Sequence, residues 1–150
     1  MITTPPPDFC VKYRWCEGTV PPPDYYEFSI AIGPGKTGVI TFYPDYPQHD
    51  LPVWVEHFNV SDADLLKLFN LMGKKNLFRQ AWTEIEAAPV GGSLEWLQII
   101  SNGVEYNIPS LIEEALVVEK IYIFIRSFVP DEIWHGLKSR HHKYQAEYSE

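Results

Sequence analysis

Cysteine is scarce in this chain: Cys10 and Cys16 are the two in 150 residues. They fall where Phe9, Val11, Tyr13 and Trp15 alternate with Cys10, Lys12, Arg14 and Cys16, the pattern of a strand. Six residues of strand separate the thiols by about 20 Å, whereas a disulfide tolerates Cα separations of only about 4.4–6.8 Å. That reading excludes a mutual bridge, and two free thiols fit a reducing compartment. No secretory leader is expected either, because Met1 is followed by Ile2, Thr3, Thr4 and three prolines, with neither a basic nor an apolar region. Long apolar runs are missing too. The longest, residues 115–129, contains Glu119, Lys120 and Arg126 and falls short of the ~20 apolar residues of a membrane helix. The expected compartment is cytoplasmic, with no membrane partner.

Basic charge is short. Twenty acidic side chains against twelve basic ones leave a formal charge of −8, a field that repels phosphate backbones, so nucleic acid is not an expected partner. The densest basic stretch, Lys74, Lys75 and Arg79, follows a predicted helix and complements the negative end of its dipole.

Catalytic and metal signatures are lacking as well. Residues 33–38, Gly-Pro-Gly-Lys-Thr-Gly, end like a Walker A loop, but Ile30 stands where that pattern requires glycine. The residues that follow read as a strand, not as a phosphate-cradling helix. Of five histidines, His135, His141 and His142 share the last predicted helix. His135 and His142 lie about 10 Å apart on it, too far for one ion with bonds of about 2 Å. His141 reads as partly buried and His142 as solvated. No serine or cysteine nucleophile motif occurs, so neither cofactor nor metal is expected and the chain does not read first as an enzyme.

What is present is aromatic and patterned. At 150 residues and 45% hydrophobic the chain is long enough for one self-sufficient domain, 1–150, with a flexible proline-rich segment at 1–8. Proline triplets at 5–7 and 21–23 bracket the first strand. Alternation over Tyr26–Ile32 and a run at Val39–Tyr43 form a hairpin across the glycine loop, and Val53–Val60 is a fourth strand. Ser61 with Asp64 opens a helix carrying Leu65, Leu68, Phe69 and Met72, with Gly73 as its left-handed cap and a further helical turn expected over 77–82. A Gly91-Gly92 loop leads to a hairpin, Leu94–Ile100 and Val104–Ile108, turned by Asn102-Gly103. Ser110 and Glu113, behind Pro109, predict the next helix start. In residues 111–128 Glu113, Lys120 and Ser127, and likewise Glu119 and Arg126, recur every seven residues as one polar edge. The β-branched run 121–125 leaves residues 117–128 open between helix and strand. A last helix from Asp131 aligns Ile133, Leu137, Tyr144 and Tyr148. The order ββββ-α-ββ-α-α predicts an α+β domain: a mainly antiparallel sheet of about six strands with three helices on one face.

Five Trp, nine Tyr and eight Phe exceed what three helices on a sheet obviously need, and Trp and Tyr favour binding surfaces. The leading expectation is therefore a non-enzymatic domain that binds a protein, of basic charge, through an acidic, aromatic-rich surface at Tyr43, Asp45, Tyr46, Trp54, Glu56, Phe58 and Trp96. The alternative is a small-molecule-binding or hydrolytic enzyme with Glu56 or Glu95 in an aromatic-lined pocket, since a carboxylate among aromatics is tuned by desolvation. A homo-oligomer pairing through an edge strand or the last helix is the third reading.

Overall fold

A computed structural model describes residues 4–86 and 92–148. Nine elements follow in chain order: β1 (Cys10–Cys16), β2 (Glu27–Ile32), β3 (Thr37–Tyr43), β4 (Trp54–Asn59), α1 (Asp62–Lys74), β5 (Leu94–Ser101), β6 (Val104–Ile108), α2 (Ala115–Ser127) and α3 (Asp131–Tyr148). The six strands form one antiparallel sheet in the order β4-β3-β2-β1-β5-β6. This is the α+β architecture the pattern predicts. The strand of residues 94–101 joins β1 on the side away from β2, so the first and second hairpins meet along β1.

Register decides which side chains meet the helices. Tyr13 lies opposite Ile30 and Leu97, and Val11 opposite Ile32 and Ile99, so one face collects Phe9, Val11, Tyr13, Phe28, Ile30, Ile40, Leu97 and Ile99. All are buried in one core with Leu68 and Met72 of α1, Ile121 and Ile125 of α2, and Leu137 of α3. Gly38 is required where it stands, since a Cβ there would come within 2.2 Å of the Phe58 ring. At the Asn102-Gly103 turn both φ angles are positive, as the sequence predicts. Asp8 reinforces that turn by accepting from the backbone N–H of Asn102 at 2.8 Å and of Gly103 at 2.7 Å.

Ser61 caps α1 as expected, accepting from the Asp64 N–H at 3.1 Å. Its other end differs from expectation. Gly73 lies inside the helix, and Asn76 is the left-handed residue, with φ 59°. The Asn76 N–H donates to Gly73 O and the Leu77 N–H to Met72 O, a Schellman closure that buries Leu77 against the turn it ends. Residues 77–82 form no helical turn; Phe78 instead packs its ring on Phe69 and Tyr106.

The Ser110–Glu113 signature does not start a helix. Ile112 bridges to Glu84 across a short antiparallel contact, with the Ile85 N–H donating to Leu111 O and the Glu113 N–H to Thr83 O. These non-local bonds tie Ile112 and its neighbours to residues 83–85, and after a turn at 113–114 α2 begins at Ala115. Residues 117–127 are helical. Val118, Ile121, Tyr122 and Ile125 recur at the spacing of one helix face and are buried together, which outweighs their β propensity. On α3 Leu137 and His141 are the buried positions, whereas Tyr148 at the end of the expected stripe faces solvent. Part of the Gly91-Gly92 loop, and residues 1–3 of the proline-rich segment, lie outside the described residues. No helix among the described residues is long and apolar enough to cross a membrane.

Candidate functional site

Of the seven residues singled out for a binding surface, five divide between the two faces of the sheet, and Asp45 and Tyr46 lie in the bend after β3. Trp54, Glu56 and Phe58 of β4 point to the helix side: Phe58 is buried, Trp54 stacks on Phe42 at 5.7 Å between ring centroids, and Glu56 pairs with Arg140 of α3 at 3.3 Å. Asp45 is buried rather than at a rim, accepting from the Tyr46 N–H and the Tyr144 hydroxyl, both at 2.8 Å. Tyr46 stacks on Tyr25 and donates to Val20 O at 2.6 Å. Tyr43 and Trp96 lie on the opposite, helix-free face, with β2 and β1 between their strands. Arg14 sits 5.0 Å from the Trp96 ring centroid and 3.6 Å from the Glu27 carboxylate. Cationic side chains, Lys12 and Arg14, stand in the middle strand of that face.

Polar chemistry concentrates where β1 and β5 meet α2. Trp15 and Glu95 are register partners, which places Glu95 on the helix side, one pleat from Tyr13. The Tyr13 hydroxyl donates to Glu95 Oε2, and Arg126 Nη1 reaches that oxygen at 2.8 Å and the Tyr13 oxygen at 2.6 Å. Burial, then the bond to Glu95, raises the Tyr13 phenol well above its ordinary range. The ring of Tyr122 lies 5.2 Å from that of Tyr13. Tyr122 is only 4% exposed, yet its hydroxyl has no hydrogen-bond partner among the described residues. Desolvation raises this phenol too.

Glu95 and Tyr122 line a hollow of about 260 Å³ completed by Ser93, Ser110, Ile112 and the first turns of α2 with Ala115, Leu116, Val118 and Glu119. Glu114, at the N-cap, makes no capping bond. Its carboxylate turns away to the Thr83 N–H and to Arg79, which stacks over the Trp82 ring at 3.8 Å. Arg79 Nε, Trp82 Nε1 and the Tyr122 hydroxyl are the buried side-chain polar atoms without a partner among the described residues. All three belong to α2 or to the segment against its N-cap.

The outer side of α2 is open. Leu116 is 84% exposed and Ile123 51%, one helix face apart by seven residues, with Ile85 beside the same N-terminal turn through its bond to Leu111. Glu119 on α2, Glu113 just before it, and Glu84 and Glu86 on the segment that bridges to Ile112 are all exposed and none is in an ion pair among the described residues; Lys120 is the cation on the apolar stripe itself. Sequence reasoning missed this surface. Its one trace was the polar edge shared by Glu119 and Arg126.

A second hollow, about 370 Å³, lies between α3 and the sheet and is walled by Tyr26, Phe28, Phe42 and Trp134, with His141 and Lys138 at its lip. His141 is buried as expected; its Nε2 donates to Pro44 O at 3.1 Å, because a carbonyl can only accept. His142 is exposed. Among the described residues no three His, Cys, Asp or Glu side chains lie close enough to hold a metal ion. Both thiols are free, and burial raises each above its ordinary range. No protein-family model matches this chain, and no curated protein matches it.

Proposed function

We propose that this chain is a non-enzymatic protein-binding module that docks a basic, amphipathic partner segment on the outer face of α2. The observation that carries this is the exposure of Leu116 and Ile123 on an otherwise apolar helix, with four exposed glutamates on α2 and on the segments that lead to its N-terminus and no ion pair to them among the described residues. A helix apolar nearly all round is ordinarily covered on every side. Here the core takes one side, and a partner's apolar residues take the other. These glutamates then select the charge of that partner, since complementary fields speed encounter and like charges repel.

An amphipathic peptide of leucine and lysine tests this, beside one of leucine and glutamate. The lysine peptide is expected to bind, with affinity falling as salt rises; Leu116→Ser removes the binding and Glu119→Lys weakens it. Equal affinity for the two peptides, or none for either, overturns the proposal. Self-association is the competing occupant. A sedimentation coefficient that rises with concentration and falls back in Leu116→Ser would assign the surface to a second copy of the chain.

A second reading, small-molecule binding or hydrolysis, draws on Glu95 rather than Glu56. Both carboxylates are engaged by an arginine, Glu95 by Arg126 and Glu56 by Arg140, but Glu95 lines its hollow together with Tyr122, whose hydroxyl has no hydrogen-bond partner among the described residues. Native mass spectrometry of the purified protein tests it: a mass lost on denaturation and absent from Tyr122→Phe favours a resident ligand, and identical masses count against it.

A further inference from the structure

We propose that the helix-free face of the sheet carries a site for a small monocarboxylate, built over β1, β2 and β3. It is independent of the docking surface on α2, which packs on the other face. Register builds the site. Lys12 and Arg14 flank Tyr13, whose side chain is in the core, so both point away from the helices. Their partners on β2 are short: Ala31 stands opposite Lys12 and Ser29 opposite Arg14. On β3, Thr41 faces Ser29, and Tyr43 stands one pleat along, opposite Glu27. Long side chains on either side of short ones leave a hollow of about 300 Å³, lined by Lys12, Arg14, Glu27, Ser29, Tyr43 and Pro47. That is the lower end of the range for ligand pockets, roughly 300–1,000 Å³, and suits a compact acid.

Arg14 is positioned before any ligand arrives. Its guanidinium lies 5.0 Å from the Trp96 ring centroid, and Nη2 lies 3.6 Å from the Glu27 carboxylate. Glu27 is itself buried and accepts from the Tyr25 hydroxyl, whose ring stacks on Tyr46. Anchoring of this kind reduces the side-chain freedom lost on binding. The Arg14 side chain is nonetheless 53% exposed, so its fork is open to a ligand. Lys12 is exposed and makes no ion pair among the described residues, and the Ser29 and Tyr43 hydroxyls make no hydrogen bond among them. An ammonium, a guanidinium and two hydroxyls all donate, and a carboxylate only accepts. Charge narrows the class further. Glu27 offsets Arg14, so Lys12 leaves the hollow with one net positive charge, which matches a monoanion; a phosphate dianion would meet the Glu27 carboxylate. The other strand carboxylate on this face, Glu105, stands on the edge strand β6, beyond β5. Tyr43 and Pro47 supply an apolar wall for the body of the acid.

The test is a titration of isotopically labelled protein with sodium benzoate, followed by amide chemical shifts, beside benzamide, acetate and phenyl phosphate at the same ionic strength. Benzoate is expected to shift residues 12–14, 29 and 43 saturably, and benzamide, its neutral counterpart, is not. Acetate separates a pocket from bare surface charge: without a ring to lay on the Tyr43 wall it should bind about fivefold more weakly or worse. Phenyl phosphate should bind no more tightly than benzoate. Lys12→Gln should weaken benzoate about fivefold or more and keep the fold, because Lys12 is exposed and has no partner to lose. Arg14→Lys keeps the charge, loses the planar fork and should weaken it as well. No saturable shift, benzamide or acetate binding as tightly, phenyl phosphate binding more tightly, or unchanged affinity in Lys12→Gln overturns the proposal. Leu116→Ser keeps this site distinct from the docking reading, since it should lose the leucine–lysine peptide and leave benzoate affinity unchanged; a loss of benzoate binding there would contradict the placement on the helix-free face.

Discussion

The two ends of the helical layer solve the same problem differently. At the α3 end a buried carboxylate, Asp45, meets a tyrosine hydroxyl and a backbone N–H, His141 donates to a carbonyl, and rings of Tyr26, Phe28, Phe42 and Trp134 pack around them. Among the described residues, no buried side-chain polar atom there lacks a partner. At the α2 end a carboxylate, Glu95, meets a tyrosine and an arginine, but the Tyr122 hydroxyl has no partner among the described residues, a hollow remains, and Leu116 stands in solvent. Since buried polar groups are ordinarily satisfied, the first end reads as finished structure and the second as structure completed by something else.

The sharpest way to break that contrast is to truncate one residue from each end. Phe42→Ala removes a buried ring stacked between Tyr26, Phe28 and Trp54 and should cost about 3–5 kcal/mol in urea unfolding. Leu116→Ala should stay within about 0.5 kcal/mol of the parent, as an exposed side chain does. Comparable losses at both positions would mean that Leu116 is part of the fold's own packing.

Asp45→Ala should cost about 1–3 kcal/mol, because it leaves the Tyr144 hydroxyl and the Tyr46 N–H short of an acceptor. Desolvation, and then the hydrogen bond to Asp45, pushes the Tyr144 phenol up to about 12. A phenol raised in the folded state contributes stability that is complete below its unfolded value near 10 and is lost as pH rises through the folded value. Ultraviolet titration of the parent should therefore show tyrosines ionising late, together with unfolding, and the Asp45→Ala variant should release Tyr144 earlier. An unmoved titration curve would count against the Asp45–Tyr144 bond.

The smallest effect has the opposite sign. Tyr122→Phe should leave stability unchanged or raise it by up to about 1 kcal/mol, since it deletes a buried hydroxyl that no described residue satisfies. Destabilisation by more than about 1 kcal/mol would show that the hydroxyl has a partner in solution.

Much of the fold was legible because its signals are local. Asn102-Gly103 fixes a turn with two positive φ angles, and Ser61 with Asp64 fixes a helix start, within four residues of chain each. The errors arose where a distant segment decided the outcome. Ser110 lost its expected cap because residues 83–85 bond to Leu111 and Glu113 and bridge to Ile112, and Asn76 took the left-handed position because Leu77 behind it could be buried. The site was the least legible part. Tyr13 and Glu95 are 82 residues apart, and Glu95 and Arg126 are 31; no periodicity connects them until the sheet places β5 beside β1. The exposure of Leu116 was equally hidden, since the same apolar residue on the inner face would read identically. Trp54 and Phe58, singled out as surface aromatics, belong to the core because the β4 register turns them toward the helices.

The central claim is that the α2 end is where this molecule meets its partner. Amide shift mapping of the labelled protein with the leucine–lysine peptide tests it most directly. The account predicts perturbations confined to residues 83–86, 93–95 and 110–124, abolished by Leu116→Ser. Perturbations centred on the helix-free face around Tyr43 and Trp96, or on the α3 hollow, would contradict it.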